Sequence, residues 1–204
     1  MCIILSRRCW LLIVLLGCNA VSEAASSRPY WLDISGTPEA RKFRLRKRGT
    51  GKIIWMRTLG KGASIQWSAN GRAVALFYQR DTRRADGLFD MLRRNHVLVW
   101  RAGHKLRTRT IGLDYDGVMG STWSPDNQRL LFRVGGSGDG TLNLGALLCL
   151  DARNTSLHRI PGSTRYFKWA NSRKVIYWTA RSVQYKDYSG YMMNKTPNVW
   201  FAPK

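Results

Sequence analysis

Acidic residues are scarce in this chain, with 12 Asp and Glu against 34 Lys and Arg among 204 residues, so the formal net charge is +22. Long apolar runs are scarcer still: a single run lies near the N-terminus, which excludes a protein that crosses a membrane several times. Disorder is excluded because 44% of the residues are hydrophobic and 11% are aromatic. The 19 Gly and 9 Trp favour short strands and turns in one domain of ordinary size.

Residues 1–25 are typical of a targeting segment that precedes the folded body. Arg7 and Arg8 form a short positive region, and the apolar stretch of residues 9–17 follows it. That stretch is too short to cross a bilayer core of about 30 Å as a helix, but it fits the apolar region of a signal peptide. The domain itself is therefore expected to occupy residues 26–204.

Two ways of removing this segment are open. A conventional signal peptidase would accept Ser22-x-Ala24, whereas Leu15-Leu16-Gly17-Cys18 resembles the lipobox of bacterial lipoproteins. In that family the cysteine is acylated, so the resemblance implies lipidation of Cys18 and a lipid anchor in the membrane. Asn19 stands where an Asp signals inner-membrane retention, which implies the outer membrane. Either cleavage predicts an exported protein, in the periplasm or at the outer membrane.

Cysteine is almost absent from the body, where Cys149 stands alone. An intrachain disulfide is therefore excluded there. The residue lies in the apolar run Ala-Leu-Leu-Cys-Leu, which predicts a small buried side chain rather than a nucleophile.

Three segments of the body repeat one pattern: a strand that ends in Trp, a polar turn, and a second strand. The tryptophans are Trp67, Trp123 and Trp169, at intervals of 56 and 46 positions. In the second copy, Pro125 presets φ and Asp126 caps the local amides, as in a tight turn. Intervals of this length match one four-stranded sheet plus an insertion.

Each unit is expected to consist of two strands followed by the Trp hairpin. For the second unit, the two preceding strands are residues 96–100 and 106–111. A degenerate fourth unit is one further expectation, built from residues 26–41 with residues 180–204. The other two are an array that stays open and a ring that two chains complete.

The turn of residues 123–127, Trp-Ser-Pro-Asp-Asn, resembles the Trp-Ser-Pro-Asp-Gly turn of the TolB-like, WD-type β-propeller repeat family. The resemblance covers roughly residues 40–204 and implies an all-β fold of four-stranded blades. About three blades are visible, fewer than in known propellers, so an incomplete or oligomer-completed propeller is expected. A closed small ring and an ordinary β-sandwich are the alternatives. Propellers of this family are mostly platforms for protein interaction.

Cations recur on two predicted strands. The period of two places Arg44, Arg46 and Arg48 on one face, and it does the same for Arg107 and Arg109. Such rows suit anionic ligands such as lipopolysaccharide phosphates, lipid headgroups or other anionic polymers. The alternative is a solvated edge strand whose charge blocks aggregation. No nucleic-acid module is recognisable, so a specific nucleic-acid partner is not expected.

Catalytic and metal-binding patterns do not emerge from the sequence. The three histidines are scattered without ligand spacing, and no Gly-x-Ser-x-Gly turn occurs. We therefore expect a non-enzymatic protein-interaction or scaffold module at the bacterial cell envelope, without cofactor or metal. Its expected partners are envelope proteins, and it is also a candidate for self-association. The alternatives are a cationic binder of anionic envelope polymers and a carbohydrate-active or accessory propeller.

Overall fold

The computed structural model describes residues 27–38, 40–59, 63–82, 92–113, 116–136, 145–184 and 189–203. Within these ranges every regular element is a β-strand and no helix occurs. Accordingly, no membrane-spanning helix is found in this part of the chain. The targeting segment of residues 1–25, with Cys18, lies outside the described residues.

The first seven strands form two antiparallel sheets in chain order. Sheet 1 consists of β1 (Tyr30–Ser35), β2 (Arg41–Lys47) and β3 (Ile53–Leu59). Sheet 2 consists of β4 (Ser64–Trp67), β5 (Ala73–Thr82), β6 (Leu92–Arg101) and β7 (Arg107–Leu113).

The other seven strands form one continuous hydrogen-bonded sheet, which we divide into sheets 3 and 4 at its longest strand. They are β8 (Asp116–Trp123), β9 (Arg129–Gly136), β10 (Gly145–Asp151), β11 (Leu157–Trp169), β12 (Lys174–Gln184), β13 (Ser189–Met193) and β14 (Asn198–Phe201). Sheet 3 is β8, β9, β10 and the first half of β11, which pairs with β10. Sheet 4 is the second half of β11 with β12 and β14, and β13 pairs with the far end of β12.

The strand β11 passes from sheet 3 to sheet 4 at a break in its pairing. Gly162 lies there at φ +84°, a conformation that side chains rarely adopt. A Cβ at this position would lie 2.6 Å from Cγ2 of Thr179, so glycine is required for both reasons.

The Trp hairpins open the sheets instead of closing them, which corrects the expected grouping. The hairpin β4–β5 is followed by β6, which pairs with β5 along its whole length, and then by β7. Residues 96–100 and 106–111 therefore share a sheet with Trp67 and not with Trp123. The sequence repeat shows the length of the unit. It does not show which strand begins each sheet, because a repeat of the same length can be counted from any of its strands.

One backbone hydrogen bond recurs in all four sheets and shows that sheet 1 is a further copy of the unit. The second strands of the repeat are β1, β5, β9 and β12, and the third strands are β2, β6, β10 and β14. In each sheet, the residue just after the third strand donates its backbone N–H to the carbonyl oxygen of the residue just before the second strand. The pairs are Arg48 to Pro29, Ala102 to Arg72, Ala152 to Gln128 and Ala202 to Arg173, at 2.8–2.9 Å. The fourth unit thus consists of β1, β2 and β3, and not of residues 26–41 with 180–204. Among the described residues, sheets 1 and 4 each have three strands of the repeat, whereas sheets 2 and 3 have four.

Three apolar cores hold the sheets together in chain order. We call the face that each sheet turns toward the preceding one its front and the opposite face its back. The back of sheet 1 packs on the front of sheet 2 through Phe43, Leu45, Leu76, Leu98 and Trp100. The back of sheet 2 packs on the front of sheet 3 through Phe77, Val97, Val99, Leu130 and Phe132. The back of sheet 3 packs on the front of sheet 4 through Leu131, Leu147, Ile160, Val175 and Tyr177.

This face-to-face stack of antiparallel sheets confirms the predicted fold class, an all-β propeller-type fold with an incomplete set of blades. Sheets 2 and 3 carry apolar side chains on both faces. This composition explains the stack, because a sheet that is covered on both sides must be apolar on both.

Candidate functional site

Tryptophan side chains join the first strands of successive sheets, which we call the inner strands. The Trp123 indole N–H donates to the carbonyl oxygen of Gln66 at 3.0 Å. The Trp169 indole N–H donates to the carbonyl oxygen of Thr122 at 3.2 Å. Each acceptor directly precedes the tryptophan of the preceding hairpin, so the repeat sets the spacing of the inner strands. Trp67 heads this series, and the Arg28 guanidinium lies 5.4 Å from the centre of its ring.

A buried serine organises the second turn. Ser124 Oγ donates to the Asp126 carboxylate at 2.6 Å and accepts the backbone N–H of Arg129 at 2.9 Å. The Asp126 carboxylate also accepts the N–H of Gln128 at 3.1 Å. Ser68 makes the same two contacts in the first turn. Asp126 is therefore occupied by its own turn.

The turns also place small and polar groups beside the inner strands. Asn127 adopts φ 56°, the left-handed conformation that glycine adopts most readily and asparagine tolerates. In the third turn Ala170 replaces the serine, and the Asn171 side chain alone accepts two backbone N–H groups. That turn is one residue shorter, because Ala170 N–H bonds to Lys174, whereas the Ser124 N–H reaches five residues ahead.

A cleft of about 1130 Å³ lies between the inner strands β8 and β11. Five aromatic side chains line it, together with Met119, Met193 and the turn residues Pro125 and Asn127. The aromatic residues are Trp123, Tyr166, Phe167, Trp169 and Trp178. A concave site that is mostly apolar, with a few polar groups, has the composition of a ligand-binding site.

The polar groups of this cleft are amides, hydroxyls and lysines. Lys168 and Lys195 are its charged lining residues, and none of its described lining residues is acidic. Asn194 is held in place, since its side-chain amide donates to Thr179 Oγ1 at 2.8 Å. The cleft therefore offers apolar and aromatic surface with positive charge beside it, which suits a ligand that combines apolar and acidic groups.

Arg44 and Arg46 lie on one face of β2, opposite the buried Phe43 and Leu45, as the period of two predicts. Both guanidinium groups contact the carboxylate of Asp33 on β1, at 3.1 and 3.5 Å. One acid thus serves two arginines, and their side chains are about one-quarter exposed. The third member of the predicted row, Arg48, follows β2 and donates its Nε–H to the Arg28 carbonyl at 2.9 Å.

Arg107 and Arg109 lie on the edge strand β7 and are exposed. They pair in register with Val99 and Val97, so they share the back side of sheet 2. Arg44 and Arg46 lie on the front of sheet 1. The structure therefore does not bring the two predicted cationic groups into one patch.

Cys149 is buried in the core between sheets 3 and 4. Burial raises the pKa of its thiol to about 12, against a smaller opposing effect of Arg129. The thiol therefore stays protonated at neutral pH, which agrees with the prediction of a small buried side chain. In the described part of the chain, no group of His, Cys, Asp and Glu residues is arranged to hold a metal ion.

The cleft is not evident from the sequence, although the repeat singles out Trp123, Pro125 and Trp169, which line it. Tyr166, Trp178 and Met193 were missed because they lie outside the repeated turn, on strands that meet only in the folded chain. A weak signal was present: Tyr, Phe and Trp crowd residues 166–178 more densely than either earlier copy.

No family model matches the chain, and no curated protein matches its sequence. Solved structures resemble it in fold. An uncharacterized protein of Listeria monocytogenes EGD-e, lmo1340, is 13% identical with a TM-score of 0.49, and the match covers 86% of this chain and 51% of that one. The β-propeller domain of the Trilobed protease from Pyrococcus furiosus, which has an open velcro topology, is 14% identical with a TM-score of 0.39, over 86% of this chain and 58% of that one.

Kluyveromyces lactis Hsv2 is a third similar structure, 10% identical with a TM-score of 0.31, over 84% of this chain and 73% of that one. The chain thus spans between half and three-fifths of the Listeria and Pyrococcus chains. At these identities the likeness concerns the fold alone.

Proposed function

We propose that this protein is a non-enzymatic interaction module of the bacterial cell envelope, and that it binds an extended segment of a partner protein in the cleft between β8 and β11. The observation that carries the proposal is the composition of the cleft: five aromatic side chains and two lysines, with no acid among the lining residues that the structure describes. Aromatic surfaces take up apolar side chains, and lysines attract acidic ones.

The inner strands add a second reason. At the cleft, β8 pairs with β9 on one side, and the second half of β11 pairs with β12 on one side. An extended segment is the ligand shape that lies along such strands, because its own backbone groups match theirs.

Envelope extracts test this function. Tagged wild-type protein is compared with a Tyr166→Ala/Lys168→Glu variant, in which two exposed cleft side chains are changed. The control is Lys52→Glu, an equal charge change at an exposed residue of the turn between β2 and β3. We expect mass spectrometry to find a partner that the wild type and the control retain and the cleft variant loses. A partner set that is the same for all three proteins would contradict the proposal.

The envelope location rests on residues 1–25 and has its own test. We propose that Cys18 is lipidated after cleavage at the lipobox, so Cys18→Ser is expected to release the protein from the membrane fraction. Retention of the Cys18→Ser variant at the membrane would show that the lipid is not the anchor.

A cationic binder of anionic envelope polymers is the second candidate, favoured by the excess of 34 basic over 12 acidic residues. Arg107 and Arg109 form no hydrogen bond or ion pair with described residues, whereas Arg44 and Arg46 share Asp33. Replacing Arg107 and Arg109 by Ser is therefore expected to weaken binding to lipopolysaccharide more than the same change at Arg44 and Arg46. Binding should fall with added salt. Binding that is insensitive to salt, or equal in both variants, counts against this function.

The aromatic cleft also suits the stacking of sugar rings, which would serve an accessory carbohydrate-binding propeller. Titration with envelope oligosaccharides distinguishes the two ligand classes. If an oligosaccharide quenches the tryptophan fluorescence of the wild type and Tyr166→Ala abolishes this quenching, the sugar is favoured as the ligand. An unchanged spectrum would leave the protein segment as the favoured ligand.

A further inference from the structure

The stack ends in two outer faces, the front of sheet 1 and the back of sheet 4. The back of sheet 1 is covered by sheet 2, and no other described sheet lies on its front, which we call open. The front of sheet 4 is covered by sheet 3, and no other described sheet lies on its back, which we also call open. Each of the three internal contacts joins a back to a front, so the two open faces are the two halves of one more contact of the same kind.

The open back of sheet 4 exposes apolar and aromatic side chains, with Lys168 and Lys174 beside them. Tyr166, Val199 and Phe201 are 54%, 49% and 63% exposed, and Ile176 and Trp178 on the same side are half-buried. By the recurring backbone bond, Val199 stands where Cys149 stands in sheet 3, and Cys149 is 1% exposed. This face therefore has the residue types of a covered face without the sheet that covers it.

The open front of sheet 1 carries arginine and apolar side chains together. Trp31 and Met56 are 41% and 46% exposed, and they flank Arg44 and Arg46 across the sheet. The Arg46 guanidinium lies 5.8 Å from the centre of the Trp31 ring, and Asp33 offsets part of the positive charge. Arginine and tryptophan are the residue types enriched at the energetic centres of interfaces.

We propose that a second copy of this chain places the front of its sheet 1 on the back of sheet 4, and that two such contacts close one ring of eight sheets. The arginines of one copy then lie against the aromatic rings of the other, a pairing that cation–π attraction stabilises. Eight sheets, four from each copy, lie within the range of about four to eight blades that propellers use. The inference goes beyond the proposed function. The back of sheet 4 shares Tyr166, Lys168 and Trp178 with the cleft, but Val199 and Phe201 on that face, like the front of sheet 1, lie outside the described lining of the cleft.

The polarity of the stack favours this arrangement over two copies joined back to back. Joining two sheet 4 backs would reverse the order of faces that all three internal contacts share, and it would leave both arginine faces open. The head-to-tail arrangement covers both kinds of face and closes on itself, so it does not extend into filaments.

The mass of the purified protein across a range of concentrations tests the proposal. We expect the 23.3 kDa chain to form a dimer. Met56→Lys on sheet 1 and Phe201→Lys on sheet 4 should each raise the dissociation constant about tenfold or more, since each puts an unpaired charge into both contacts. The control is Ile65→Lys on β4, which is 37% exposed and lies on neither open face. It should dimerise like the wild type.

Mixing the two variants separates the ring from a back-to-back dimer. In a mixed ring, one contact joins two unchanged faces, so the mixture should dimerise more strongly than either variant alone. A back-to-back dimer predicts instead that Met56→Lys dimerises normally by itself. Either that result, or a monomer at every concentration, overturns the proposal. Circular dichroism of each variant verifies its fold, and Trp31→Ser and Val199→Lys replace any variant that fails to fold.

Salt provides an independent readout. Both copies are strongly positive, and Lys168 and Lys174 lie on the sheet 4 side of the contact, so screening should strengthen dimerisation. Binding to an anionic polymer responds in the opposite direction. A dimer that dissociates on adding salt would therefore be held by a polyanion and not by the two faces, and the proposal would be wrong.

Discussion

Sheets 3 and 4 are two copies of one repeat, yet the same positions have different surroundings in each. Leu131 and Cys149 of sheet 3 are almost fully buried, because sheet 4 covers them. Ile176 and Val199 occupy the same positions in sheet 4, where one is half-buried and the other is 49% exposed. Burial, and with it the energetic weight of a residue, depends on the neighbouring sheet and not on the repeat itself.

Core truncation should show the largest difference between the two sheets. Leu131→Ala removes a fully buried side chain and leaves a cavity, so we expect a loss of about 3 kcal/mol of unfolding free energy. Ile176→Ala at the equivalent position should cost only about 1 kcal/mol at concentrations where the chain is monomeric. Urea unfolding followed by tryptophan fluorescence measures both. Equal losses would show that the back of sheet 4 is covered.

The indole hydrogen bonds between inner strands should show the next largest effect. Trp123→Phe removes the N–H that donates to Gln66 and shrinks a side chain that is 7% exposed. We expect a loss of about 2 kcal/mol of unfolding free energy. Trp169→Phe, at a half-buried site, should lose about 1 kcal/mol. The reverse order in thermal or urea unfolding would mean that the third hairpin, not the second, carries more of the stability.

The serine of the turn should matter less. Ser124→Ala leaves the buried N–H of Arg129 without its acceptor, which we expect to cost about 1 kcal/mol. The converse change, Ala170→Ser, should alter stability by no more than about 0.5 kcal/mol, because Asn171 already accepts the free N–H groups of that turn. A clear gain in the Ala170→Ser variant would contradict this account of the shorter turn.

The smallest expected effect concerns pH and a carboxylate that only sheet 3 has. Asp151 stands where Phe201 stands in sheet 4. Burial alone would raise its pKa, but hydrogen bonds and attraction from Arg153 outweigh burial and hold the pKa below 3.8. The ionised form therefore contributes stability above the unfolded-state pKa of about 3.9, and this contribution is lost as the pH falls through the folded-state value.

A comparison of wild type with Asp151→Asn measures that contribution. The wild type should be the more stable protein at about pH 6, and the difference should shrink toward about pH 3. A difference that stays constant over this range would mean that the pKa of Asp151 is the same in the folded and unfolded states.

Several features of the fold followed from the sequence because they are local. The turn at Pro125 and Asp126, the alternation that buries Phe43 and Leu45, and the burial of Cys149 each depend on residues within a few positions of one another. The sequence did not show which strand begins each sheet, because a strand that lies between two turns can pair with the strand before it or with the strand after it. Sheet 1 was missed as a unit because it lacks the Trp hairpin among its described residues.

Only some residues of the candidate site could be predicted from the sequence. Trp123 and Trp169 were singled out by the repeat, but Tyr166 and Trp178, which line the same cleft, lie outside the repeated turn. The predicted row of Arg44, Arg46 and Arg48 assumed free cations. Asp33, on a neighbouring strand, turned two of the three into an ion-paired cluster.

The amino-acid sequence by itself determined the strands, the turns and the excess of positive charge, because each arises from the nature and spacing of neighbouring residues. The tertiary structure alone decided which strands share a sheet, which arginines are neutralised and which aromatic residues form the cleft. These depend on contacts between residues dozens of positions apart, and such contacts are set by how the sheets pack and not by local pattern.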